Sequence, residues 1–267
     1  MPGNSPRLMV FNPTKLNMYK RCPAQYDFRY RQKLRSPSTF EPGLTLAIAV
    51  HDVIGRAFSE YRRSHTFPNN LERQLERQLP VGEYIDQSHL ESEVQRANSL
   101  VNKAIVDFGR EASIKAVERT YEYVCRGRAD CPDFVLQAKV DLVLEHRDGV
   151  IEHIDWKTGS SNWHDAIQTL CSRIVVGNAF HGRTVRSTTV YLESGTVNSD
   201  VLEREAVVET WNEVKSIVRS IIEDDFWEPS SNPLCPSCAW YENGCSLYRV
   251  DDQVDAIADW LENPSAS

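Results

Sequence analysis

Apolar residues recur along the chain with two periods, and the places where the period changes mark its elements. Residues 45–63 carry Leu46, Val50, Val53, Ile54, Ala57, Phe58 and Tyr61 at the spacing of an amphipathic helix. Upstream, residues 14–35 read as a helix, with Thr14 as N-cap behind Pro13. Leu71, Leu75 and Leu79 keep helical spacing until Pro80 and Gly82, and Leu90, Leu100, Ile105 and Phe108 resume it. Residues 64–115 therefore predict a helical insertion. At Ala116 the texture changes: residues 116–125, 134–146 and 150–156 are rich in Val, Tyr and Leu and read as strands. Trp163, Ile167, Leu170, Ile174 and Val175 return to helical spacing, and residues 187–193 predict a further strand. Val207, Trp211, Val214, Ile217, Val218 and Ile221 predict a helix over 203–223, and residues 250–261 a short closing helix. Strand, strand, strand, helix, strand, helix is the order of an α/β core. A chain of 267 residues can bury such a core as a single domain, 1–267, without disulfides.

Composition narrows the setting. The chain has no apolar run of the length a membrane span needs, and its first residues lack the shape of a signal peptide, so the expected location is cytoplasmic. There, seven cysteines point to thiolates, metal or buried thiols before disulfides. The net charge of −8 argues against a nucleic-acid partner until its distribution is considered. Residues 1–37 hold eight basic side chains against one acidic. Among them Lys15, Lys20, Arg21, Arg29 and Arg31 interleave with Tyr19, Tyr26, Phe28 and Tyr30. Basic side chains neutralise phosphate and aromatic faces stack on bases, as single-stranded DNA binding requires. A solvated helix whose aromatics face the core has the same pattern.

The richest segment is 135–159, VLQAKVDLVLEHRDGVIEHIDWKTG. Two apolar runs flank Asp148-Gly149, a hairpin signal. A two-residue loop sets Asp141 opposite Trp156 and turns Asp155 away. A three-residue loop, 147–149, with Gly149 in its left-handed last position, sets Asp141 opposite Asp155, with Lys157 on the same face. Opposed aspartates repel unless a cation lies between them. Mg²⁺ or Mn²⁺, held by carboxylates, would there neutralise a phosphodiester and activate water, and Lys157 would orient that water. A salt-bridged hairpin face is the other reading of the same residues.

Asp141 followed by Ile154-Asp155-Trp156-Lys157-Thr158-Gly159 resembles the PD-(D/E)XK signature of RecB-type nucleases. Val50-His51-Asp52 resembles the family's first motif, Glu118 its acidic position on the first core strand, and Gln168 its Gln-x3-Tyr motif. Ala47 and Ala138 stand where glycine is expected, and Ser172 where the tyrosine is. The resemblance implies a restriction-endonuclease-like core, a mixed central sheet flanked by helices. It implies Asp141, Asp155, Lys157 and Gln168 as catalytic residues and His51, Asp141 and Asp155 as ligands for Mg²⁺ or Mn²⁺. The implied activity is that of an exodeoxyribonuclease on DNA ends or single strands, in repair, recombination or CRISPR adaptation. The chain has no helicase motif, so a helicase or CRISPR integrase would be its partner. A catalytically inactive DNA-binding scaffold is the alternative.

Cys235, Cys238 and Cys245 form Cys-x2-Cys-x6-Cys, one ligand short of a tetrahedral set. Cys22, in Cys-Pro on the first helix, can supply the fourth. This layout resembles the iron–sulfur staple of AddB and of CRISPR-adaptation nucleases, which implies a [4Fe–4S] cluster joining 11–35 to 228–248. Zn²⁺ accepts the same four thiolates.

Overall fold

The computed structural model describes residues 8–35, 42–79, 86–108, 112–126, 132–159, 166–200, 204–242 and 244–247. The closing helix expected at 250–261, and Cys131, Trp163 and His164, lie outside them. The sequence suggests one domain; the chain divides into two compact units, one comprising 1–13 and 40–212, the other 14–39 and 213–267.

The first unit is built on a six-stranded mixed sheet. Its long centre is the antiparallel pair β2 (Ser113–Cys125) and β3 (Phe134–Glu145). Because β2 takes one whole edge of β3, the other edge is shared. The short strand β1 (Met9–Phe11) pairs in parallel with Phe134–Leu136, and β4 (Ile151–Lys157) pairs antiparallel with Leu142–Glu145. Strand β5 (Val185–Tyr191) runs parallel to β4, and the edge strand β6 (Thr196–Asp200) closes the order. The α/β class and mixed sheet expected from sequence are present. β1 and β6 were not foreseen: one has three residues, and the described side chains of the other are exposed and mostly polar.

Helix α3 (Pro42–Ser64) packs with α4 (Leu71–Glu76) and α5 (Gln87–Phe108) over one core cluster. Leu46, Val50, Val53, Ile54, Ala57 and Phe58 all lie in it, as their spacing predicted. The helical insertion is thus α4 and α5, ending before β2 starts at Ser113. Helix α6 (Ala166–Ala179) sits between β4 and β5 in the chain.

Trp156 anchors β4. It is 1% exposed, stacks on Phe58 at 6.1 Å and meets Phe108 edge-on at 5.2 Å. Side chains alternate along a strand, so burying Trp156 turns both Asp155 and Lys157 to the opposite face. Trp156→Ala should cost about 3–5 kcal/mol in denaturant unfolding. A loss below about 1 kcal/mol would contradict this anchoring role.

The second unit holds α1 (Pro13–Arg21, from Thr14), α2 (Pro23–Tyr26), a π-helical turn (Asp27–Arg31) and the end of α7 (Arg204–Glu223). The single helix expected over 14–35 is broken. Cys22 is extended (φ −161°, ψ 108°) ahead of Pro23, which disfavours helical backbone before it and opens α2 as its first residue. Tyr19 donates to Asp224 at 2.8 Å, and Phe28 packs 6.1 Å from Trp240, so the two distant segments of this unit are packed together.

Candidate metal centre

The β3–β4 hairpin has the three-residue loop. His146 N–H donates to the Val150 carbonyl and Gly149 N–H to that of His146, both at 2.9 Å, with Gly149 at φ 87°. Leu142 pairs with Ile154 and Glu145 with Ile151, so the next pair in this register is Asp141 with Asp155. The strand pairing stops before it. The Trp156 N–H donates instead to Asp141 Oδ2 at 2.9 Å. The sheet therefore opens at the two carboxylates, and a backbone donor satisfies one of them.

Helix α3 brings His51 Nδ1 to 3.4 Å from Asp141 Oδ2. Glu118 comes from β2. Its neighbours Val117 and Arg119 pair with Leu142 and Val140, which sets Glu118 opposite Asp141. Glu118 has φ 50°, a left-handed conformation that costs a side-chain-bearing residue about 1–3 kcal/mol. Lys139 Nζ pairs with its Oε2, while Oε1 is buried and has no hydrogen-bond partner among the described residues. His51, Glu118 and Asp141 each offer one ligand atom, all within 4.8 Å of one another. A buried, unpaired carboxylate oxygen is unfavourable unless something cationic meets it. The nitrogen and oxygen donors here fit a divalent ion.

Asp155, Lys157 and Gln168 close a triangle beside this group. Lys157 Nζ lies 2.7 Å from Asp155 Oδ2 and donates to Gln168 Oε1 at 2.8 Å. Gln168 Nε2 donates to Asp155 Oδ1 at 2.6 Å. Burial pushes the Asp155 carboxyl up to about 6, the Lys157 ammonium opposing and Asp141 adding to the rise. Burial pulls His51 down, but the hydrogen bond and charge of Asp141, with Asp155 and Glu118, raise it overall. Glu118 is raised, chiefly by burial.

These shifts have one sign for cation binding. Protonated Asp155 or His51 cannot ligate, so Mn²⁺ affinity should fall as pH drops from about 7.5 to about 5.5, with protons released on binding. Both folded pKa values exceed their ordinary ones. The ion-free protein thus loses stability as pH rises, for Asp155 from about 4 through 6. Mn²⁺ should accordingly raise the melting temperature more at the higher pH. Calorimetric titration checks this; equal affinity at both values would contradict it.

His51, Asp141, Asp155, Lys157 and Gln168 all lie in the first unit and form one constellation. The tight three-atom group contains Glu118 where the sequence suggested Asp155. Glu118 was visible as an acidic strand residue, but its approach to His51 was not, because nothing in the sequence sets the β2–β3 register. Lys139, its ion-pair partner, was missed entirely. Ser172 is 6% exposed, so that position on α6 serves packing.

The basic, aromatic segment is largely committed within the second unit. Tyr26, expected as a base-stacking platform, is 4% exposed and stacks on Trp227 at 5.7 Å, so its ring is core. Arg31 lies over Trp227 at 4.5 Å and pairs with Asp27 at 2.8 Å. Lys20 pairs with Glu213 at 2.5 Å, and Arg21 Nη2 donates to Gln25 at 2.7 Å. Lys15 and Arg29 lie over Tyr30 at 5.3 and 5.9 Å. Cys22, Cys235, Cys238 and Cys245 belong to the same unit, as free thiols. Gln25 Nε2 donates to Cys238 Sγ at 3.5 Å and the Asn232 N–H to Cys235 Sγ at 3.3 Å. Among the described residues, no three of these sulfurs come within 4.8 Å of one another.

Among the described residues, no helix is long and apolar enough to cross a membrane. No curated protein matches the chain. The solved structure of SSO0001 is similar at 10% identity, over 91% of this chain and 89% of that one, with a TM-score of 0.39. The family model of the PD-(D/E)XK nuclease superfamily matches residues 10–243.

Proposed function

Because the chain belongs to the PD-(D/E)XK nuclease superfamily, we propose that the His51–Glu118–Asp141 group and the Asp155–Lys157–Gln168 triangle form one divalent-cation site that hydrolyses phosphodiester bonds in DNA. The observation that carries this is the orphaned Glu118 Oε1, buried beside His51 and Asp141. Asp155 adds a carboxylate whose oxygens keep lone pairs beyond their bonds to Lys157 and Gln168.

Mg²⁺ or Mn²⁺, when bound, supplies a water of lowered pKa and charge for the phosphate. The chain's own residues do the rest. Asp141 is oriented by the Trp156 amide, so its carboxylate is fixed before any cation arrives. Lys157 is held by Asp155 and Gln168, which aims its ammonium beside the carboxylates. The third N–H of the ammonium is left to donate to the attacking water, and its charge steadies the negative charge that grows on the phosphate as the bond breaks. Gln168 touches both partners and keeps the ammonium in place.

The chain acts as an exonuclease on DNA ends or single strands, in repair, recombination or CRISPR adaptation, with a helicase or integrase as partner. The four cysteines of the second unit hold a [4Fe–4S] cluster. One tetrahedral zinc on bonds of about 2.3 Å needs sulfurs about 3.8 Å apart, whereas a multi-iron core holds thiolates farther from one another.

The test is digestion of 5′- and 3′-labelled linear and closed-circular DNA, single- and double-stranded, with Mg²⁺ or Mn²⁺. Stepwise loss of nucleotides from linear DNA and intact circles are expected. Cleavage of circles would replace the exonuclease by an endonuclease. DNA binding without any cleavage would identify an inactive scaffold.

A further inference from the structure

We propose that Gly55 is a positioning residue for the cation site, in that its missing Cβ is the slot through which Glu118 reaches His51 and Asp141. This rests on the metal-site reading above and adds a residue that does not itself touch the ion.

Gly55 lies in the middle of α3, four residues after His51, so the two share a helix face. Glycine is a poor choice there, since alanine is the better helix former. A close approach explains it. A Cβ built on Gly55 would lie 2.7 Å from Glu118 Cγ, 3.3 Å from Cδ and 3.4 Å from Oε1. The first distance is shorter than real side chains allow, and Glu118 has little freedom to yield. Its backbone is held at φ 50° between paired neighbours, and Lys139 pins Oε2 from the other end. Pressed from the Gly55 side, the carboxylate must leave the position in which Oε1 stands beside His51 and Asp141. Helix α3 thus contributes twice to the site, a ligand at His51 and an absence at Gly55.

The test is a double-mutant cycle on the full chain, ion-free, read by Mn²⁺ titration and by thermal melting. Gly55→Ala should weaken Mn²⁺ binding by about tenfold or more, the scale seen when support of a metal ligand is removed. Glu118→Ala should weaken it comparably, and the double variant no further than Glu118→Ala. Melting supplies a readout with a change of sign. In the natural sequence Gly55→Ala should lower the melting temperature. In the Glu118→Ala background, where Cγ, Cδ and Oε1 are gone, it should leave the melting temperature unchanged or raise it. If Gly55→Ala fails to fold alone but folds in that background, the steric coupling is supported. Natural Mn²⁺ affinity in folded Gly55→Ala, or losses that add in the double variant, would overturn the inference while leaving the metal site standing. No Mn²⁺ binding by the natural protein would overturn the metal-site reading, and this inference with it.

Discussion

Asp141→Asn should reduce DNA cleavage by about a thousandfold or more, equivalent to roughly 4 kcal/mol of transition-state stabilisation. The substitution is nearly isosteric. An asparagine carbonyl can still accept from the Trp156 amide, which Asp141 Oδ2 now does at 2.9 Å. The hairpin should therefore fold, while the negative charge that faces His51 and Glu118 is lost. Lys157→Ala should be equally severe for another reason. It removes the ammonium 2.7 Å from Asp155, leaving cation binding in place but the attacking water without its donor. The two variants separate on Mn²⁺ titration: Asp141→Asn should lose affinity, and Lys157→Ala should keep it. Melting curves confirm that each is folded. Undiminished cleavage by either folded variant would remove that residue from the mechanism.

Cys22→Ser and Cys245→Ser should each abolish iron and sulfide binding and lower stability together. More than 200 residues separate the two positions, so a shared centre closes a very long loop. Closing such a loop restricts the unfolded chain by up to about 5 kcal/mol in the chain-entropy description. Holo and apo proteins should thus differ widely in melting temperature. Cys125→Ser and Cys171→Ser are the controls. Both thiols are buried in the first unit, so these variants should lose packing but keep full iron content. Unchanged iron in Cys22→Ser or Cys245→Ser would refute the ligand set. Four converging thiolates on a colourless zinc would change the metal and keep the staple.

Much of the site was legible because the hairpin is local. Gly149 selects a three-residue loop, the loop fixes the register, and the register decides that Asp141 and Asp155 face one another. The heptad-like spacing of α3 likewise placed His51 on a helix packed over the sheet. What could not be read was non-local. Glu118 joins His51 and Asp141 because β2 pairs with β3 in one register, which leaves no mark in the residues near it, and because Gly55 has no side chain; a glycine inside a helical pattern signals a close approach but not what approaches. Tyr26 shows the opposite failure. Alternating basic and aromatic residues look alike whether the rings meet bases or a core, and Trp227, about 200 residues on, decides for the core. The helix over 14–35 erred at a visible signal, since Pro23 after Cys22 already forbids a continuous turn there.

The central claim is that a divalent cation is held where the β3–β4 sheet opens. Anomalous scattering from Mn²⁺ in crystals of the natural protein tests it most directly. A peak bonded to His51, Asp141 and Glu118 Oε1, with Asp155 adjoining, is the expected result. A peak elsewhere, or none at a concentration that supports cleavage, would contradict it.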